Sequence, residues 1–182
     1  MADSQGTSKR SEILRRNNVT ITGNVDSPKT MLFVHGFGTN QDAWRHVRKA
    51  FPQYRQILMD NVGAAASNLD AYRPRRYERL EAYAEDVVEV CEVCDVSDAV
   101  CVGHSAGGMV SLLASLRNRS LFRKLIFLGA SPRYLNAPGY HGGFDQASLS
   151  QLYAAMEGQY HRWVAGFAPA VAAQPEDAPA AR

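Results

Sequence analysis

Gly103-His104-Ser105-Ala106-Gly107 follows the apolar run Ala99-Val100-Cys101-Val102 and opens the helical run from Met109 to Leu116. This is a G-x-S-x-G pentapeptide between a strand and a helix, a turn so tight that only small residues fit two positions either side of the serine. It presents Ser105 at the carboxyl end of the strand with the helix N-terminus directly beneath it. A serine so placed points to acyl transfer, which needs a base to take the hydroxyl proton and donors to hold the developing oxyanion. The backbone N–H of Ala106, at the helix start where the helix dipole favours negative charge, is one donor.

Upstream, Met31-Leu32-Phe33-Val34 is a continuous apolar run, the pattern of a strand covered on both faces. It breaks at His35-Gly36-Phe37-Gly38, where two glycines let the loop approach a substrate closely. The N–H of Phe37 is therefore the second expected oxyanion donor. Asn40 reads as the N-cap of a helix carrying Trp44, Val47 and Phe51 inward, ended by Pro52. Ile57-Leu58-Met59 is a further buried strand, closed by Asp60-Asn61-Val62-Gly63. Val19-Thr20-Ile21-Thr22 alternates as an edge strand does.

Leu80, Tyr83, Val87, Val90, Cys91 and Cys94 mark one face of a long amphipathic helix. The helix after Ser105 is expected to turn Met109, Leu112, Leu113 and Leu116 inward, and Leu125-Ile126-Phe127-Leu128 reads as a doubly buried strand. Strands alternating with helices predict an α/β fold with a mostly parallel sheet flanked by helices.

The division expected from composition is a polar, mobile segment at residues 1–10, a core over 11–130, a lid segment over 131–167 and a flexible tail over 168–182. Within the lid segment, helices are expected at 146–157 and about 159–167. The 182 residues suffice for one real core, and 46% apolar with 21% charged residues is ordinary for a globular chain. A net charge of +2 suggests no nucleic-acid partner, and no apolar run reaches membrane-spanning length. No secretory signal core is visible and the three cysteines fit a reducing compartment, so a cytoplasmic location is expected, or a nuclear one if the source is a plant. Cys91 and Cys94 read as a packed helix face, with no metal site and no cofactor called for.

The motifs together resemble one subfamily of the α/β hydrolases. His35-Gly36-Phe37-Gly38-Thr39-Asn40-Gln41, Asp60-Asn61-Val62-Gly63-Ala64, Arg76-Tyr77 with Leu80 and Tyr83, and Gly103-His104-Ser105 carry the core of the likeness. Ser131-Pro132-Arg133-Tyr134-Leu135-Asn136, Gly142-Gly143-Phe144 and Trp163-Val164-Ala165-Gly166-Phe167-Ala168-Pro169 extend it into the lid. The subfamily holds the plant karrikin and strigolactone receptors and the bacterial sigma-B pathway regulator RsbQ.

The resemblance implies a serine hydrolase with Ser105 as nucleophile and Phe37 and Ala106 as oxyanion-hole amides. It also implies a pocket lined by Phe37, Tyr134, Phe144, Leu152, Trp163 and Phe167, apolar enough for a small hydrophobic ester or butenolide-like lactone. A signalling protein is the implied macromolecular partner. His35 and His104 are expected to be structural. Similar proteins continue through more lid helices and two further strands bearing the catalytic aspartate and histidine. Those two residues are therefore expected outside these 182 residues, and activity is expected to be impaired. Asp145, His141 and His161 fall on lid segments and are not expected to replace them. Without the last strands and half the lid, residues 125–128 would form an exposed sheet edge, open to self-association. The alternative reading is a non-catalytic ligand-binding remnant.

Overall fold

The computed structural model describes residues 2–158. The chain divides into two compact units, Met1–Ser131 and Pro132–Arg182. The first unit is built on five strands: β1 (Thr20–Gly23), β2 (Thr30–Val34), β3 (Arg55–Met59), β4 (Ala99–His104) and β5 (Phe122–Leu128). They lie in the order β1-β3-β2-β4-β5. β1 runs antiparallel to β3, and the other three pairings are parallel.

β2 lies at the centre and is buried at all five positions. Its side chains alternate across the sheet, as the strand's period of two requires. Leu32 and Val34 join a cluster with Ile57, Met59, Val87, Val90, Cys91, Cys101, Val110 and Ala114. Met31 and Phe33 point the other way, into a cluster with Trp44, Leu58, Val100 and Val102. The first face is covered by α1 (Ala2–Arg16), α2 (Leu80–Val93) and α3 (Ala106–Arg117). Cys91 and Cys94 are free thiols buried in that cluster, as a packed helix face requires.

The N-terminal residues expected to be mobile form α1 instead. Its last turns dock: Ile13 is buried, and Arg16 pairs with Asp86 at 3.2 Å and Glu89 at 2.7 Å. With so few apolar residues, the helix showed little amphipathic pattern in the sequence. The helix expected after Asn40 is two 3₁₀ turns, Gln41–Trp44 and Val47–Ala50. Asn40 does cap the first, its side chain accepting from Asp42 N–H. Beyond it, Gln56 Nε2 donates to the carbonyls of Arg48 and Phe51, so a tertiary partner holds groups that a continued helix would have used.

α3 faces the core differently from expectation. Gly107, Gly108, Val110, Ser111 and Ala114 are its buried residues, and Leu116 is exposed. The glycines permit so close an approach to the sheet that small residues dominate the contact stripe, with Leu113 packed beside them, partly buried, as expected. β5 is also not doubly buried. Ile126, Phe127 and Leu128 are 37–44% exposed, and no strand among the described residues pairs with its outer edge.

In the second unit, residues 134–144 close on themselves, with Phe144 N–H donating to Tyr134 O and Asn136 N–H to Phe144 O. α4 (Gln146–Gly158) follows. The expected helix over 159–167 and the expected tail lie outside the described residues. Among the described residues, no helix is long and apolar enough to cross a membrane.

Candidate active site

Ser105 sits between the last residue of β4 and the first of α3, with φ 52° and ψ −123°. A non-glycine residue with positive φ is strained, at a cost of order 1–3 kcal/mol. The strain is held by the packing on either side. Ser105 N–H donates to Leu128 O at 2.9 Å, and Ser105 O accepts from Gly108 N–H at 3.0 Å.

Three glycines make the turn geometrically possible. A Cβ on Gly103 would lie 2.6 Å from Gly108 Cα. One on Gly107 would stand against Val34 O and 2.5 Å from His35 O. One on Gly36 would lie 2.8 Å from His104 Nδ1 and 2.9 Å from Ser105 Cβ. Glycine at 36 and 107 thus brings the loop after β2 against the elbow after β4. The two backbone segments expected to donate to an oxyanion therefore leave neighbouring strands at the same end of the sheet.

The loop after β2 is tied down by His35, which is 1% exposed. Its Nε2 accepts from Asn61 N–H at 2.9 Å, and its Nδ1 lies 2.8 Å from Gly36 O. An amide N–H can only donate and a carbonyl can only accept, so the ring is neutral and protonated at Nδ1. Burial pushes the His35 pKa below its ordinary value, and His104 adds to that, while the Gly36 carbonyl and Asp60 oppose it. His104, whose ring lies against Gly36, is likewise pushed down by burial. With both ring nitrogens bound to backbone, His35 is structural, as expected.

Asp60, at the end of β3, is buried and satisfied on both oxygens. Oδ1 accepts from Gln41 N–H at 2.9 Å, and Oδ2 accepts from Asn18 Nδ2 at 2.7 Å. The sequence marked Asp60-Asn61 as a strand end and as part of a family motif, with no role in the site. A hydrophilic pair directly after the apolar run Ile57-Leu58-Met59 is the signal that would have drawn attention to it.

Of the expected lining residues, Phe37 belongs to the first unit and is 53% exposed. Tyr134 is exposed and Phe144 and Leu152 are half-buried, all three in the second unit. Trp163 and Phe167 lie outside the described residues, as does His161. Asp145 caps α4, its Oδ1 accepting from Ser148 N–H at 2.7 Å. A separate polar cavity of about 290 Å³, lined in part by Asn18, Thr20, Gln41, Arg48 and Asp60, contains none of the expected site residues.

Sheet order, strand–elbow–helix geometry and the glycine contacts together define an α/β hydrolase. The α/β hydrolase fold family matches residues 29–181, and the chain belongs to it. Among its relatives, a strigolactone esterase of Pisum sativum is 45% identical over 159 residues, 86% of this chain and 59% of that protein. A karrikin insensitive 2 receptor of Petunia hybrida is 42% identical over 156 residues, 85% of this chain and 57% of that protein. A solved hydrolase from Oleispira antarctica superposes with a TM-score of 0.81 at 33% identity, covering 88% of this chain and 59% of its own. The chain thus spans 57–59% of the length of these relatives.

Proposed function

We propose that this chain carries the nucleophile half of a serine ester hydrolase of the receptor-like subfamily. Ser105 Oγ attacks the carbonyl carbon of a small hydrophobic ester or butenolide-like lactone. The amides of Phe37 and Ala106 stabilise the resulting oxyanion, and the exposed Phe37 ring offers the ligand an apolar contact. The observation that carries this reading is the strained Ser105, at φ 52°, held over the start of α3 beside the glycine-flanked loop after β2. Relatives that include a strigolactone esterase and a karrikin insensitive 2 receptor support the small-ligand class.

The reaction also needs a base. His35 is excluded from that role because both ring nitrogens are already bound to backbone groups. The base and its orienting acid are proposed to lie outside the described residues. Loss of a triad member leaves roughly 10³–10⁴-fold catalysis over water, from the oxyanion hole and binding alone. No metal or organic cofactor takes part in this mechanism. The same observation on His35 favours a second reading, in which the chain binds the ligand without turning it over.

Hydrolysis of an activated acetate ester by the chain and by Ser105→Ala tests the proposal. The expected result is slow release that falls further in the variant. Fast, saturable turnover lost in Ser105→Ala would place the base within this chain. Equal rates in both proteins would favour the non-catalytic reading.

A further inference from the structure

We infer that Asn61 is a positioning residue, fixing through His35 the loop that carries the Phe37 amide. The inference rests on the reading of that amide as an oxyanion donor. It starts from a two-point attachment. Asn61 N–H donates to His35 Nε2 at 2.9 Å, and Asn61 Nδ2 donates to His35 O at 3.2 Å. One residue at the end of β3 thus holds both the ring and the backbone of the first residue after β2.

From His35 the link passes directly to Phe37. His35 Nδ1–H donates to Gly36 O at 2.8 Å, and Thr39 Oγ1 donates to the same oxygen at 3.0 Å. Gly36 O belongs to the peptide group whose nitrogen is the Phe37 N–H. Two donors on that oxygen fix the plane of the peptide, and therefore the direction in which Phe37 N–H points. Both also polarise the amide, which strengthens it as a donor.

A second observation separates this role from packing. Among the described residues, Asn61 Oδ1 is buried with no hydrogen-bond donor. A buried unpaired acceptor works against folding, so an amide here is a poor choice for stability alone. Turning the amide over would set Oδ1 against His35 O, so the orientation follows from the contact. The charged and titratable groups facing His35 are Asp60, at 4.0 Å from Nε2, and His104. Neither replaces Asn61 N–H as the donor to Nε2.

The test uses the ¹⁵N-labelled 182-residue chain, with Asn61→Ala, His35→Phe and His35→Gln. In the unsubstituted chain, His35 is expected as the neutral Nδ1–H tautomer, with scalar coupling across the hydrogen bond from Asn61 N–H to Nε2. In Asn61→Ala, amide exchange at residues 37 and 38 should rise about 3- to 10-fold, the weight of one net hydrogen bond. His35→Phe should raise it at least about tenfold, because Asn61 N–H loses its acceptor and Gly36 O loses one of its two donors. His35→Gln, which can still accept from Asn61 N–H, should restore part of the protection.

A ring protonated at Nε2, or unchanged exchange at 37 and 38 in Asn61→Ala, would overturn the inference. If His35→Phe does not fold, the coupling in the unsubstituted chain and the Asn61→Ala arm still decide it. Phosphonate labelling of Ser105 on the same samples keeps the two readings apart. Loop loosening without labelling of Ser105 in any sample upholds the positioning role and removes the nucleophile reading.

Discussion

Gly107→Ala probes the contact on which the site depends. The added Cβ would stand against Val34 O and 2.5 Å from His35 O. An ordinary carbon–oxygen contact is about 3.3–3.6 Å, so the two backbones must separate by roughly 0.8 Å or more. β2 cannot readily yield, being buried throughout and hydrogen-bonded to β3 on one side and β4 on the other. Overpacking costs about 1–3 kcal/mol, and contact with two backbone oxygens puts this case at about 3. Exchanging Gly for Ala in a helix returns up to about 1 kcal/mol. The expected net loss is about 2 kcal/mol, or roughly 4–8 °C in Tm for a chain of this size. Calorimetry on the chain, on Gly107→Ala and on Gly6→Ala measures it. Gly6 lies in α1, where a Cβ would meet nothing within 4 Å, so that variant should melt at the same temperature or slightly higher. Gly107→Ala melting at or above the unsubstituted chain would refute the close-approach argument.

Two predictions concern pH and run in opposite directions. His35 has a folded-state pKa below its unfolded value, so its contribution is present above about pH 6.5 and is lost as pH falls through the folded pKa. Chemical denaturation from pH 7.5 to 5 should show stability falling with acid, with a shallower fall in His35→Gln. Asp86, buried against Arg16, Arg76 and Tyr77, has its carboxyl pushed up by desolvation, a shift that the arginines only partly offset. Its contribution is greatest below about pH 4 and declines as pH rises through the folded pKa, so the chain's margin over Asp86→Asn should shrink across that range. The outer edge of β5 carries a third prediction. The chain should sediment above its 20.0 kDa monomer mass, and Ile126→Lys, placing a charge on the exposed edge strand, should return it to monomer. A monomeric unsubstituted chain at every concentration would remove the proposed self-association.

Much of the fold could be read because its central strands carry unbroken apolar runs. Residues 31–34, 57–59 and 99–102 announced a sheet covered on both faces, and the glycines around Ser105 announced the elbow. Where the reading failed, tertiary contacts had overridden local pattern. α1 carries little apolar surface and depends on Ile13 and on Arg16 reaching α2. The segment after Asn40 has helical spacing, yet Gln56 draws two of its carbonyls into another arrangement. α3 displays leucines at helical spacing, but close contact through Gly107 and Gly108 turns a small-residue stripe inward. Asn61 was invisible as a site residue because its role lies in distances to His35, 26 positions away in sequence.

The central claim is that Ser105 is a positioned nucleophile. Intact-mass and peptide-mapping analysis after treatment with a fluorophosphonate tests it most directly. A single adduct on Ser105, absent in Ser105→Ala, is expected. Adducts spread over other serines, with no preference for Ser105, would contradict it.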